Sequence, residues 1–500
     1  MASAVEQLKE HLAEIADLRR ASAVLGWDQQ TYMPPGGGKH RAQQLATLSR
    51  IVHERFTSET TLRLLDAAEP EVAALPETDD DRCLVRIVRL DYERARRLPN
   101  DFVANRARDA AISNQVWREA RRANDFASFR PHLAKMVDYA RQTAEYYGYQ
   151  EHPYDALLDD YDRGLTTAEV RRIFDVLRPA QVELLRAIRE RPEPRTDFLY
   201  RDYPEAAQAE FSLAVAADFG YDLSRGRLDV SPHPFATSFG RDDVRITTRY
   251  DRHFLPQAVF AVFHETGHAL YEQNVSPTLD RTPLARGCSN VVHESQSRLW
   301  ENVIGRSESF WRIYFPRLRE RFPAALADVS AEEFYRAVNR VQPSLIRVEA
   351  DEVTYNLHIM LRFELEVALI EGALDVAELP EAWAARMKEY VGIVPPDDRD
   401  GVLQDTHWSS GSIGYFPTYA LGNVLAAQVY ATALEQRPEI GPALAEGEFA
   451  PLLDWLRERI YHHGRKFLPQ ELVRQATGRA LEPGPYLAYL RRKFGALYGL

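Results

Sequence analysis

The sequence predicts a mainly α protein carrying one small antiparallel β-sheet. Three observations lead there. Apolar residues recur at three- and four-residue intervals along most of the chain, strict alternation is confined to one stretch, and proline- and glycine-rich turns separate the periodic segments. The helical spacing runs through residues 5–18 and returns around Leu62, Val85, Val137, Leu177, Phe211, Val338 and Leu490. Each such segment reads as a helix with one face turned to a core. Met33-Pro34-Pro35-Gly36-Gly37-Gly38, Arg191-Pro192-Glu193-Pro194 and Pro395-Pro396-Asp397-Asp398 read as breaks. In residues 227–250 the period changes to two: Leu228 and Val230, then Val244, Ile246 and Thr248, with Gly240-Arg241-Asp242 as the turn. Residues 343–370 read as one long helix, about 40 Å at about 1.5 Å per residue.

The chain has 500 residues, 45% of them hydrophobic, enough for a large buried core. Its net charge is -12 and its basic residues are dispersed, so no nucleic-acid surface is expected. Two cysteines, Cys83 and Cys288, exclude a disulfide framework. Glu6, Lys9, Glu10 and Glu14 stand where a secretory signal would be apolar. No run of about 18 uncharged apolar residues suggests a membrane span. The expectation is a soluble, cytoplasmic protein.

The most informative segment is Val262-Phe263-His264-Glu265-Thr266-Gly267-His268. Four residues of helix rotate by about 400°, so His264 and His268 point the same way and can share one zinc ion. Glu265 stands beside the first ligand and can take the proton from a water that zinc acidifies, as a general base. Apolar residues 258–263 precede the motif, and Leu255-Pro256 suits a helix start. A hydrogen-bonded core pair is the competing reading, yet buried imidazoles and carboxylates are costly without a partner. The favoured third ligand is Glu294, 26 residues after His268, with Glu301 as the alternative. Two histidines, one glutamate and a water make an open catalytic zinc site. His293 is either a partner behind a ligand or a packed surface histidine.

Two further stretches suggest substrate contacts. Arg347, Asp351, Thr354, His358 and Arg362 recur at helical steps through an apolar background. They read either as helix salt bridges, Arg347 with Asp351, or as a polar stripe with an arginine free to fork onto a carboxylate. His407, Tyr415 and Tyr419 lie in a glycine-rich stretch and can donate to an oxyanion.

Several motifs appear in a fixed order: His233-Pro234-Phe235; Asp243-x-Arg245-x-Thr247; His264-Glu265-x-x-His268; His293-Glu294-Ser295-Gln296-Ser297; Ile346-Arg347-x-Glu349-Ala350-Asp351-Glu352; and Gly401-x-x-Gln404-Asp405-x-His407-Trp408. With Trp27-Asp28-x-x-Thr31-x-Met33-Pro34 and Tyr154-Asp155-Ala156-Leu157-Leu158-Asp159 upstream, this set resembles the carboxypeptidase Taq family of metallocarboxypeptidases, from Trp27 to Gly422. The resemblance implies a neurolysin-like helical body with a deep active-site cleft, formed by one catalytic peptidase domain over residues 1–500, with two helical lobes flanking the cleft. It implies stepwise release of single C-terminal residues from peptides with broad specificity, poor action at proline, a zinc cofactor that cobalt can replace, and a homodimer. Carried over by position, His264, His268 and Glu294 bind metal and Glu265 is the base. Arg347, or alternatively Arg245, anchors the terminal carboxylate, with His233, His407, Tyr415 and Tyr419 on the substrate side. An aminopeptidase is disfavoured because the Gly-x-Met-Glu-Asn segment is absent. An endo-oligopeptidase on the same scaffold and a silent binding protein with a structural metal are the rivals.

Overall fold

The computed structural model describes residues 2–500. The helical spacing around residues 5–18, Leu62, Val85, Val137, Leu177, Phe211, Val338 and Leu490 forms the helices Ala4–Thr31, Glu59–Val72, Asp80–Arg97, Phe126–Tyr147, Thr167–Arg189, Glu205–Asp218, Ala331–Val338 and Gly484–Tyr498. Their starts carry local signals. Ser3 with Glu6, and Thr166 with Glu169, form reciprocal caps that satisfy backbone N–H groups left over at a helix start. The proline- and glycine-rich segments interrupt helices as expected; Pro35–Gly37 is a single 3-10 turn. Among the described residues no helix is long and apolar enough to cross a membrane. Cys83 and Cys288 are buried thiols and are not joined in a disulfide.

The chain divides into two compact units, each built from three pieces. The first takes the chain through Arg96, Arg195–Val338 and Val429–Ala480; the second takes Arg97–Pro194, Asn339–Gln428 and Leu481–Leu500.

The sheet belongs to the first unit and corrects one expectation. Its strands are β1 (Gly226–Val230), β2 (Ala236–Gly240) and β3 (Asp243–Thr248), in the order β1-β3-β2. β2 and β3 pair antiparallel across the Arg241-Asp242 turn, but β1 runs parallel to β3, so the sheet is mixed. Residues 231–235, with Pro232 and Pro234, carry the chain to the far edge of β3 instead of turning back along β1. Ser231 pins that crossing. Its N–H donates to the Thr248 carbonyl at 3.0 Å, and its hydroxyl lies 2.6 Å from the Thr247 hydroxyl.

The long helix expected over 343–370 is also broken. Only Arg347–Glu349 (a 3-10 turn) and Tyr355–Glu371 are helical. Asp351 does not pair with Arg347. Its carboxylate instead accepts from the N–H groups of Val353, Thr354 and Gln342 and from the Thr354 hydroxyl. Short acidic side chains compete for backbone donors in this way and favour helix starts over helix interiors.

The central element of the first unit is the helix Leu255–Gln273, which begins on Pro256. Its rear face is fixed by aromatic packing. Phe263 stands 5.3 Å from Phe219 and 5.6 Å from Phe310, and Phe219 stands 4.8 Å from Trp300 (ring centroids). All four are buried. Such rings contribute both apolar burial and edge-to-face attraction. Gly267 allows the next helix, Asn290–Arg298, to approach closely. A Cβ there would sit 2.5 Å from the Gln296 carbonyl oxygen and 2.6 Å from the Ser297 Cα.

Candidate metal centre

That close approach brings Glu294 to the two histidines. His264, His268 and Glu294 offer ligand atoms within 4.8 Å of one another. Glu294 Oε2 lies 3.6 Å from His264 Nε2 and 3.5 Å from His268 Nε2. Tetrahedral zinc bonds of about 2.0–2.2 Å put neighbouring ligand atoms roughly 3.3 Å apart, so this triangle fits a zinc-sized ion. The other carboxylate oxygen, Oε1, accepts from Arg298 Nε at 2.8 Å, which leaves Oε2 turned to the imidazoles. Burial alone would raise the Glu294 pKa, but Arg298 and His264 bring it well below the ordinary value.

The expected alternative ligand, Glu301, takes a different place. It lies seven residues after Glu294, in the π-helical stretch Leu299–Ile304 that continues the same helix. Its Oε2 sits 2.9 Å from His264 Nδ1, behind the ligand face of that ring. Arg298 and Arg306 also donate to it, at 3.2 and 3.4 Å. Burial raises its pKa and Arg298 and His264 override that, holding it at about 2. Glu265 is buried, and burial, opposed by His264, pushes its pKa up to about 7.

The two imidazoles differ. Burial disfavours the charged form of both. At His264 the carboxylates of Glu294 and Glu301 outweigh it and raise the pKa. At His268 burial prevails and brings the value to about 4, because the group behind it is the His293 ring rather than a carboxylate.

The expected substrate residues fall in three places. His233 is exposed, on the loop between β1 and β2. Arg245, on β3, is held by Asp243 through two bonds of 2.8 and 2.9 Å and lies over the rings of Trp27 and Phe239. The remaining residues gather in the second unit around Asp405. Arg347 donates to Asp405 Oδ1 through Nε at 3.1 Å and Nη2 at 2.8 Å, and to the Tyr355 hydroxyl at 3.0 Å. Arg362, fully buried, pairs with Asp405 Oδ2 at 2.6 Å. Gln404 Oε1 accepts from both the Arg347 N–H and Arg362 Nη2. The His407 ring stacks on Tyr415, with centroids 5.4 Å apart, and its Nε2 lies 3.4 Å from the Tyr419 hydroxyl. Burial lowers the His407 pKa to about 4 and the His358 pKa to about 3, so both rings are neutral near pH 7.

Sequence reasoning missed Asp405 as the shared partner of two arginines. It also missed Glu366, whose buried carboxylate accepts from Tyr154, Trp408 and the Gly414 N–H, at 2.5, 2.6 and 3.0 Å. The bonds to Trp408 and Gly414 fasten the segment that carries His407 and Tyr415. Asp405 was within reach, because an acid beside His407 in a buried stretch needs a cation. Glu366 offered no local signal.

The fold and this donor set place the chain among helical metal-dependent peptide hydrolases. The family model described as carboxypeptidase Taq (M32) metallopeptidase matches residues 7–494, and the chain belongs to that family of metallocarboxypeptidases. It is 44% identical to thermostable carboxypeptidase 1 of Thermus thermophilus over 99% of both chains, and 38% identical to carboxypeptidase 1 of Bacillus subtilis over 97% of both. The crystal structure of an M32 carboxypeptidase from Deinococcus radiodurans superposes with a TM-score of 0.97 at 45% identity, covering 99% of each chain.

Proposed function

We propose that this metallocarboxypeptidase releases single C-terminal residues from peptides with broad specificity, weakly at proline, using zinc on His264, His268 and Glu294 and Glu265 as general base. The observation that carries the reading is the triangle of Nε2, Nε2 and Oε2 atoms, with the Glu265 carboxylate on the next residue of the same helix. Bound zinc supplies Lewis acidity, acidifying water and polarising the scissile carbonyl. The chain's own groups do the rest. Glu265 accepts the proton of the attacking water and returns it to the departing amine. Arg298 holds Glu294 in its ligand orientation.

Charge supports Arg347 over Arg245 as the anchor for the terminal carboxylate. Arg245 and Asp243 neutralise each other one to one. Arg347 and Arg362 share the carboxylate of Asp405, the nearby histidines are neutral, and burial pushes the pKa of Glu366, the other carboxyl that feels Arg362, up to about 7, so the cluster keeps positive charge in excess. Arg347 uses three of the five guanidinium N–H donors in the contacts above, which leaves two for a ligand. His407, Tyr415 and Tyr419 are assigned as neutral donors to the oxyanion or substrate, and His233 as an outer substrate contact. Two buried cysteines kept as thiols support a reducing, cytoplasmic setting. Cobalt in place of zinc and a homodimer complete the proposal.

The test is a timed digest of one unblocked peptide and its C-terminally amidated twin, with and without chelator, read by mass spectrometry. Stepwise loss from the free peptide alone, abolished by chelator, is expected. Internal cuts in both peptides would instead identify an endo-oligopeptidase.

A further inference from the structure

The side of His268 turned away from the metal centre leads into a second chain of contacts. His268 Nδ1 lies 2.5 Å from His293 Nδ1, and His293 Nε2 lies 2.7 Å from Glu272 Oε1. The positions of the protons follow. With its Nε2 lone pair, on the atom that faces Glu294, given to the metal, His268 carries its proton on Nδ1 and donates it to His293. His293 therefore accepts at Nδ1, carries its own proton on Nε2, and donates that proton to Glu272.

The surroundings are built for this arrangement. Glu272 lies four residues after His268, one turn along the same helix, so the contacts leave the metal helix, cross to the neighbouring helix and return. The same Glu272 oxygen accepts from the Gly287 N–H at 2.9 Å. Residue 287 must be glycine there, because a Cβ would sit 2.2 Å from His293 Cδ2. Tyr271 packs against the same ring, with centroids 5.2 Å apart. The His293 ring is therefore held in position and orientation. An ordinary core histidine would need neither the bare glycine nor two partners in line.

We propose that His293 and Glu272 form a positioning relay for His268, fixing its tautomer and ring orientation and so setting how tightly and how long the metal is held. The two histidines are supported unequally: Glu301 bonds His264 directly, whereas Glu272 reaches His268 only through the His293 ring. The proposal rests on the reading that His264, His268 and Glu294 bind the metal. Partners of this kind orient metal-bound imidazoles, and their loss weakens metal binding by about 10–100-fold.

The experiment is a competition titration of zinc ion alone, against a chromophoric chelator, on the purified full-length enzyme. His293→Phe removes both links, His293→Asn keeps an acceptor near the Nδ1 position, and Glu272→Gln keeps a bond but loses the charge. The expected zinc Kd rises about 10–100-fold for His293→Phe and less for His293→Asn and Glu272→Gln. Nitrogen NMR of labelled histidine should find the His268 proton on Nδ1 in the wild type. A zinc Kd within twofold of wild type for both His293→Asn and Glu272→Gln overturns the relay, whether or not His293→Phe folds. His268→Ala separates the underlying reading: full zinc stoichiometry in that variant would mean that His268 is no ligand at all.

Discussion

Two buried charged clusters, one in each unit, are built with opposite excess. Around the histidines of the first unit stand four carboxylates, Glu265, Glu272, Glu294 and Glu301, against the three guanidinium groups of Arg286, Arg298 and Arg306. Around Asp405 of the second unit stand two guanidinium groups against one carboxylate. Desolvating unmatched charge is costly, so each imbalance marks the ligand sign that relieves it. The first cluster suits a cation and the second an anion. The difference teaches that the composition of a buried network carries information beyond its individual hydrogen bonds.

The largest effect should come from the first cluster. Glu265→Gln is expected to lower kcat/KM by about 10²–10⁴-fold with zinc content unchanged, because the ligands stay while proton removal fails. Steady-state kinetics beside metal analysis checks this, and turnover close to wild type would take the base role from Glu265. The second cluster is probed next through stability. Asp405→Asn should cost about 3–5 kcal/mol, since two buried guanidinium groups lose their shared counter-ion. Burial raises the Asp405 pKa, but Arg362 and Arg347 override that and hold it below its ordinary 3.8. The stability it contributes is therefore present above about pH 4 and lost as pH falls further. Urea unfolding from pH 3 to 7 should show that acid-side slope in the wild type and a weaker one in the variant.

Arg347→Ala sharpens the contrast in sign. It should lower kcat/KM about 30-fold or more on free peptides while zinc affinity stays unchanged, as expected when a buried charge partner of the substrate is lost. A matching loss of zinc affinity would reduce Arg347 to a structural role. The smallest effect is expected at Gly267. Gly267→Ala forces a methyl against the Gln296 carbonyl and should cost about 1–3 kcal/mol. A lowered Tm together with weaker zinc binding would trace both to the displaced Glu294 helix; an unchanged Tm would mean that the helices can part freely.

The first cluster was legible because its geometry is local. Four-residue spacing put His264 and His268 on one face, and the same rule applied once more would have named Glu272. Glu294 needed a return helix, and the sequence favoured it over Glu301 only modestly. Strand alternation located β1 and β3 but does not encode pairing direction, so the parallel pair stayed hidden. The long helix was over-read because Asp351 looks like a member of a polar stripe when it is in fact a cap. The second cluster was least legible. Arg347 and Arg362 reach Asp405 across 58 and 43 residues of sequence, and such pairings have no periodic signature.

The helix Leu255–Gln273 carries both proposed imidazole ligands, the proposed base and Glu272 within nine consecutive residues, 264–272. Opening of that one stretch surrenders two ligands and an outer anchor together. Metal release and amide hydrogen exchange along these residues then become one event seen by two methods. Exchange along the helix should therefore slow once the ion is bound, because ligand binding adds its free energy to every opening that destroys the site.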